Sequence, residues 1–465
     1  MSAAAPASRS SFESLLSWSA APGRELARRA WPIAVSTLSY SAMSLVGAAF
    51  VARVGAAEVA GVGLASVAAF AVLCFAIGAL RGAKTLVAQA LGAGRPEDAD
   101  RYLGVAILFA LGWGVTTVVL AQALAPLLAL LASDHAQGHH AATYLRIRAL
   151  AAPLVLVTVA MHETRWAEGD AQTPMRATIA GNLANVLGDV TLIVGLGWGV
   201  PGAAIASVIG SAVECGVLAG ALWPRVKRAR WRPAYARAIW QQGAPTGVQF
   251  LLEVGAFFAL SLVVARMGAA DGAAHQLVLQ LTHVSFLPAH ALAEAASVLV
   301  GQAIGAGRFD LVRPVARRAF LLGGIYTAAC TVVFVAFAEP IAGLLGADDG
   351  AVHDVTCALI QMSALFLVAD AANVIARGLL RGVGDAVYPA VVGVITSWVV
   401  TPPLAAVLGL GLGWGVRGGW LGLTIEIVVG AAILCHRLLT DRWRAAAVTT
   451  RARTLAVGAA AAAAG

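Results

Sequence analysis

LVAQALGAGR at residues 86–95 and LVGQAIGAGR at 299–308 are one ten-residue phrase written twice, sharing L-V-x-Q-A-x-G-A-G-R. The separation of Gln89 and Gln302, 302 − 89 = 213, extends outward from it. It sets Pro32 against Pro245 and VARVGAA at 51–57 against VARMGAA at 264–270. Further on, GDAQTP at 169–174 answers GDAVYP at 384–389, and GWGVPG at 197–202 answers GWGVRG at 413–418. The chain is a tandem duplication, and whatever one half forms the other half forms again.

What each half forms follows from its solvent. The 465 residues are 60% hydrophobic and 12% charged, with a mean hydropathy of +0.81. A soluble domain carries about 25% charged residues. Apolar runs of about 20 residues recur along the whole length, long enough to cross a bilayer as helices. This excludes a soluble globular enzyme, a disordered chain, collagen and a disulfide scaffold. Reading apolar runs between charged or Gly/Pro breaks gives twelve segments, from 31–52 to 416–436. The fold class is an all-α integral membrane protein of twelve transmembrane helices in two pseudo-symmetric six-helix bundles. Because six is even, both bundles enter from one side, and the repeat is parallel about an axis along the membrane normal. The expected divisions are an N-terminal cytoplasmic segment 1–26, bundles 27–223 and 239–438, a linker 224–238 and a C-terminal cytoplasmic tail 439–465.

The net charge of +8 sits in short gaps between apolar runs and forms no continuous stripe, so no nucleic-acid partner is expected. Arg24, Arg28, Arg29, Arg95, Arg101, Arg165 and the 224–238 stretch fall on one side, with Arg308, Arg313, Arg377 and Arg381 after them. The opposite gaps are poor in basic residues, and 339–354 holds Glu339, Asp348, Asp349 and Asp354 with none. By the positive-inside rule both termini and the linker are cytoplasmic, in a bacterial-type inner (plasma) membrane. The five cysteines are isolated in apolar segments and read as free thiols. The first apolar segment belongs to the repeat, so no cleavable signal peptide is expected, and the Ala/Ser-rich start and alanine-rich end read as dispensable. Two facing bundles are the usual body of a secondary transporter, and no GxxxxGK[ST] phosphate loop occurs, so an ion gradient is the expected energy source.

A series of phrases in order carries a family likeness. Pro32, FVARVGAAEVAGVGLA (50–65), LVAQALGAGR, EGDAQTPM, NLANVLGDVTLI and GVPGAAIAS resemble the N-terminal half of the multidrug and toxic compound extrusion (MATE) transporters. AHQ (274–276), VLVGQAIGAGR and ADAANVIARGLLRGVGDAVYP (369–389) resemble the C-terminal half. The likeness covers roughly residues 30 to 436. It implies a MATE/MOP-type fold, a multidrug efflux antiporter for organic, cationic and amphiphilic small molecules, Na+ or H+ as coupling ion, no other cofactor, and a monomer whose partners are substrate and lipid bilayer.

An ionisable residue at bilayer depth costs about 2.5–3.5 kcal/mol on insertion scales, so each one needs a reason. Glu253 lies about twelve residues into the seventh span and Asp370 about eleven before Arg381, which places both carboxylates at one depth near the midplane. They read either as a shared proton or Na+ site or as separate intrabundle hydrogen-bonding groups. The resemblance sharpens the first reading, because both match positions that NorM-type MATE proteins use for cation coupling. In the other half, Asn182, Asn185 and Asp189 share one face of the fifth helix. The resemblance makes Asn185, Asp189 and Ser207 the remainder of an N-lobe cation site, but Gly47 stands where many relatives carry the first-helix acid. A working site and a structural polar cluster both stay open there.

Arg81 and Lys84 interrupt the second span. One of them pairs with Asp189, or both reach toward the cytoplasmic surface. By the repeat offset Arg81 corresponds to Glu294 (81 + 213), one turn after His290, with which it can hydrogen-bond. HETRW at 162–166 lacks the second His of a zinc HExxH motif and reads as a solvated turn, and His135, His139 and His140 read as an exposed loop. Two other functions compete with efflux. A flippase for a lipid-linked or large anionic precursor would use Arg81 and Lys84, whereas an integral membrane enzyme would need catalytic groups clustered at an aqueous rim. The topology is directly testable: a single cysteine at position 228, in a background lacking the native five, should react with an impermeant maleimide only after the cell envelope is opened. Labelling in intact cells would contradict the orientation and the parallel repeat with it.

Overall fold

The computed structural model describes residues 17–132, 134–347 and 350–463. Asp348, Asp349, most of the N-terminal segment and the last two residues of the alanine-rich end lie outside them. All regular structure among the described residues is helical. In chain order the long helices are α1 (Pro22–Ala52), α2 (Ala56–Gly92), α3 (Pro96–Leu131), α4 (His135–Ala149), α5 (Ala152–Ala167), α6 (Gln172–Asp189) and α7 (Gly199–Ala221). The second half supplies α8 (Pro233–Ala265), α9 (Ala269–Gly305), α10 (Val312–Ala336), α11 (Gly350–Val383), α12 (Val387–Val399), α13 (Gly415–Leu439) and α14 (Arg444–Ala463). Among the described residues eleven helices are long and apolar enough to cross a bilayer, and α4 with α5, bent by 51°, makes a twelfth when counted as one span.

That bend corrects the expected fourth span. Pro153 occupies the first turn of α5, where its missing N–H costs nothing, and the chain restarts there instead of running through. Gly114 of α3 sits against it, so close that a Cβ would lie 2.4 Å from Pro153 Cα. The helix also extends back to His135, so His135, His139 and His140 are helical residues of α4 and not a loop.

The duplicated phrases are helix punctuation. Gly94 and Gly307 both take left-handed φ, +71° and +76°. Arg95 N–H then bonds Ala90 O and Arg308 N–H bonds Ala303 O, each at 2.9 Å, closing α2 and α9 alike. The spans of α6 and α12 both end in π-helical turns, Val190–Gly195 and Ala405–Gly411, before the two GWGV turns. A repeated sequence thus gives a repeated stop, the strongest local evidence that the halves fold the same way.

The chain forms two compact units. One takes Val35–Leu91, Arg95–Gly247 and the segment from Ala456; the other takes Val248–Leu455, Gly92–Gly94 and the segment ending at Ala34. Within each, small residues let backbones touch, which is what drives helix association where lipid is as apolar as the side chains. In the first unit, Cβ atoms at Gly181 and Gly210 would fall 2.9 and 2.8 Å from each other's carbonyl oxygens, so α6 and α7 cross in backbone contact. Gly78 and Gly82 of α2 meet Gly243 and Gly247 of α8 in the same way. In the second unit, Gly378 and Gly382 of α11 lie against the carbonyls of Ala293 and Ser297 of α9.

Described residues near both ends of the chain are packed, while most of the Ala/Ser-rich start lies outside the described residues. Trp18 is buried with Leu26 in the core of the second unit. On α14, Thr450 donates to Gly384 O at 3.1 Å and Arg451 to Gly305 O at 3.2 Å. At the crossing of α2 with α8, a Cβ on Gly243 would lie 1.8 Å from Ala79 O. Gly243→Val should cost about 3 kcal/mol of stability by overpacking, read as loss of monodisperse protein in size-exclusion chromatography; Gly63→Ala, which meets no atom within 4 Å, is the silent control.

Candidate functional site

In the second unit α11 carries Asp370, Asn373, Arg377 and Arg381 at spacings of three and four, so all four project from one side of the helix. Arg377 Nη1 donates to Glu253 Oε1 of α8 at 2.7 Å. Gln249, one turn before Glu253, donates its Nε2 to the same oxygen at 2.9 Å and accepts from Arg381 Nη2 at 2.9 Å. From α13 comes Glu426, buried and accepting from Thr396 of α12 at 2.8 Å. Buried Asn373 donates to Ile427 O at 3.4 Å. Asp370 is half-buried, and Arg377 lies in the field of Glu253, Glu426 and Asp370 together.

Gly393 makes room for this cluster. A Cβ there would lie 2.6 Å from Glu253 Oε1 and Gln249 Nε2, and 3.1 Å from Arg377 Nη2, so α12 approaches the charged groups only because it has no side chain at that point. The arrangement differs from the expected bare dicarboxylate in two ways. Arg377, read from the sequence as a cytoplasmic gap residue, lies inside the span and is bonded to Glu253. Glu426 is an acid that the reading missed. Both had a signal: Arg377 is seven residues from Asp370, hence on its face, and Glu426 interrupts the apolar run GLTIEIVV.

The first unit holds the other predicted residues. Asn182 donates to Ser39 Oγ at 2.7 Å. Asn185 and Asp189 are buried on α6, and Ser207 is half-buried on α7. Gly47 faces Asp189: a Cβ at 47 would lie 3.7 Å from Asp189 Oδ2, so an acid there would meet it directly. Neither Arg81 nor Lys84 pairs with Asp189. Lys84 is buried, not at the surface, and its Nζ lies 3.1 Å from Glu163 Oε2, with Arg81 in the field of the same carboxylate. His162 and Glu163 are buried, which corrects the solvated-turn reading of HETRW. Only its far end is a surface network, with Arg165 on Glu168 at 2.9 Å and on Asp170, and Arg225 on Glu168 at 2.5 Å. There Thr173 and backbone N–H groups bond the Asp170 carboxyl and, with Arg165, hold it below the usual carboxylate range, although burial, the largest single effect, acts the other way. In the second unit His290 Nε2 lies 3.6 Å from Glu294 Oε1. Among the described residues no group of three or more His, Cys, Asp or Glu side chains is placed to hold a metal ion.

The MatE family model matches residues 32–191 and 245–407, one match in each half. A probable multidrug resistance protein NorM from Deinococcus radiodurans is 31% identical over 444 residues, covering 90% of this chain and 95% of its own. Its namesake from Pseudomonas putida is 27% identical, covering 88% and 93%. Among solved structures, an outward-facing multidrug resistance MATE family transporter of the MOP superfamily superposes with a TM-score of 0.84 at 21% identity, over 97% of this chain and 99% of its own. A eukaryotic MATE transporter gives 0.83 at 19% identity, over 93% and 99%.

Removing one member of a buried ion pair leaves the other uncompensated. Arg377→Ala should therefore destabilise the protein by ~2–3 kcal/mol, less than for a fully buried pair because both side chains keep some exposure. Adding Glu253→Gln should recover most of that loss. A thermal-unfolding double-mutant cycle checks this, and additive effects would mean that the pair contributes no coupling.

Proposed function

The chain belongs to the MatE family of multidrug and toxic compound extrusion transporters, and on that premise we propose that it is a secondary antiporter that exports organic cations in exchange for protons. The observation that carries this reading is the cluster of Glu253, Asp370 and Glu426 against Arg377 and Arg381 on three helices of one unit. Three carboxylates against two guanidiniums leave an excess of negative charge. Glu253 and Asp370 are both half-buried while Glu426 is covered, and Glu253 is bonded to Arg377, so Asp370 is the acid left to meet a cationic substrate. A proton arriving from outside neutralises the same carboxylate and favours release, because ion and substrate bind to competing charge states.

The choice of proton over sodium rests on Glu253. Its Oε1 already accepts from Arg377 and Gln249, and a sodium ion needs a shell of several free oxygens where a proton needs one. Residence as a monomer in a bacterial-type inner membrane, with both termini cytoplasmic, completes the proposal. The flippase alternative drew its support from Arg81 and Lys84 as receptors for an anionic head group; Lys84 is engaged by Glu163, which removes that support. The enzyme alternative asked for catalytic groups at an aqueous rim, and the acids here lie within long apolar helices.

In proteoliposomes, substrate should move against an imposed pH gradient and ignore an imposed sodium gradient. Glu253→Gln and Asp370→Asn should each reduce proton-driven export at least about tenfold with the protein still folded, and the double variant should lose little more, because residues that act as one unit are not additive. Wild-type export rates in both single variants would overturn the assignment.

A further inference from the structure

Among the buried acids of the first unit that the efflux reading does not use, one stands at the meeting of four helices. Glu214 of α7 has its Oε1 in contact with three side chains from three other helices. Thr178 of α6 donates to it at 2.7 Å, the Tyr40 hydroxyl of α1 donates to it, and His162 Nε2 of α5 lies 3.4 Å away. His162 is 6% exposed, and its Nε2 is buried without a hydrogen bond while aimed at that carboxylate. Tyr40, by contrast, is 36% exposed, so the group opens outward on the tyrosine side and closes on the histidine side.

The surrounding charges are committed elsewhere. Lys84 of α2 pairs with Glu163, and Arg81 acts on the same carboxylate. Arg148 of α4 reaches Tyr40 only through its field, and Cys215 beside Glu214 is an uncharged thiol. Glu214 thus has hydroxyl donors and a neutralisable imidazole but no fixed cation, whereas Glu163 and Glu253 each have one. Both hydroxyl donors can bond its Oε1 whether the carboxyl is neutral or charged.

The duplicated half repeats the device. The offset 384 − 169 = 215 sets Thr396 opposite Gly181, three residues from Thr178. The offset 413 − 197 = 216 sets Glu426 opposite Gly210, four residues from Glu214. Corresponding helix pairs therefore each carry a threonine-bonded buried glutamate, displaced by one helical turn, and in the second half that glutamate stands within the charged cluster.

We propose that Glu214, with Tyr40, Thr178 and His162, is a proton-binding site of the first unit, taking up and releasing one proton through the Tyr40 side. The contacts fall on Oε1, which leaves Oε2 to carry the proton. It rests on the antiport reading only for its use during transport; proton binding itself is independent of export.

Infrared difference spectroscopy of the purified full-length protein across a pH jump tests it. The wild type should show a protonated-carboxyl C=O band that Glu214→Gln deletes and that Glu253→Gln and Asp370→Asn leave in place. Tyr40→Phe and Thr178→Val, which keep the acid and the packing, should shift the band, because each removes a hydroxyl bonded to the carboxyl. In proteoliposomes Glu214→Gln should lower the protons exchanged per substrate by one. A Glu214→Gln spectrum identical to wild type would overturn the proposal, and if that variant does not fold, unchanged spectra in both Tyr40→Phe and Thr178→Val would do so. A protein that exported nothing would undo the efflux reading and leave the Glu214 band intact, so the two failures are distinguishable.

Discussion

A charge carried on an apolar helix must find its compensation inside the protein, and the second unit depends on how that requirement is met at Glu253. Arg377, Gln249 and Arg381 form one chain of donors and acceptors that fixes α8 against α11. Gly393 lets α12 close over them. Without the guanidinium the carboxylate would be an isolated buried charge; without the carboxylate the same would hold for the guanidinium. The ion pair is thus a helix-packing contact and, on the proposed antiport, part of the polar surface that a substrate would meet.

The first unit solves the same problem differently. Its buried Lys84 is matched to Glu163, and two further buried acids, Asp189 and Glu214, face hydroxyls, glycine or imidazole. Duplication supplied the same helices twice, and substitution then gave each copy its own charge balance. Gly47 opposite Asp189 is one such divergence, and Arg377 beside Glu253 is another.

The architecture was legible because it is written in features that do not depend on tertiary context. Length of apolar run sets a span, and the repeated GAGR and GWGV phrases set identical stops at Gly94 and Gly307 and matching turns after the two π-helical segments. The fourth span was misjudged because a proline in the first turn of a helix looks the same in sequence whether the chain bends there or starts anew. The site was half legible. Glu253 and Asp370 stand out as acids in apolar runs, but the same criterion applied evenly would have raised Glu214 and Glu426. Arg377 and Glu163 were lost for another reason: each lies near the end of its helix, where charge is ordinarily read as surface, and only packing shows that it is buried. Ion partners on different helices, such as Lys84 with Glu163, are fixed by rotation and depth that no single segment encodes.

The two guanidiniums beside three carboxylates have a consequence for voltage. With all five groups ionised the cluster retains one negative charge, and a charge moved across the membrane field changes energy by about 2.3 kcal/mol per 100 mV. Had Arg377 and Arg381 been neutral, three charges would have felt that field whenever the unloaded site changed sides. If the cluster is the coupling site proposed above, the arginines, by cancelling two of them in place, would make the return of the empty carrier far less sensitive to membrane potential. The electrical work would then fall mainly on whichever loaded form carries the uncompensated charge.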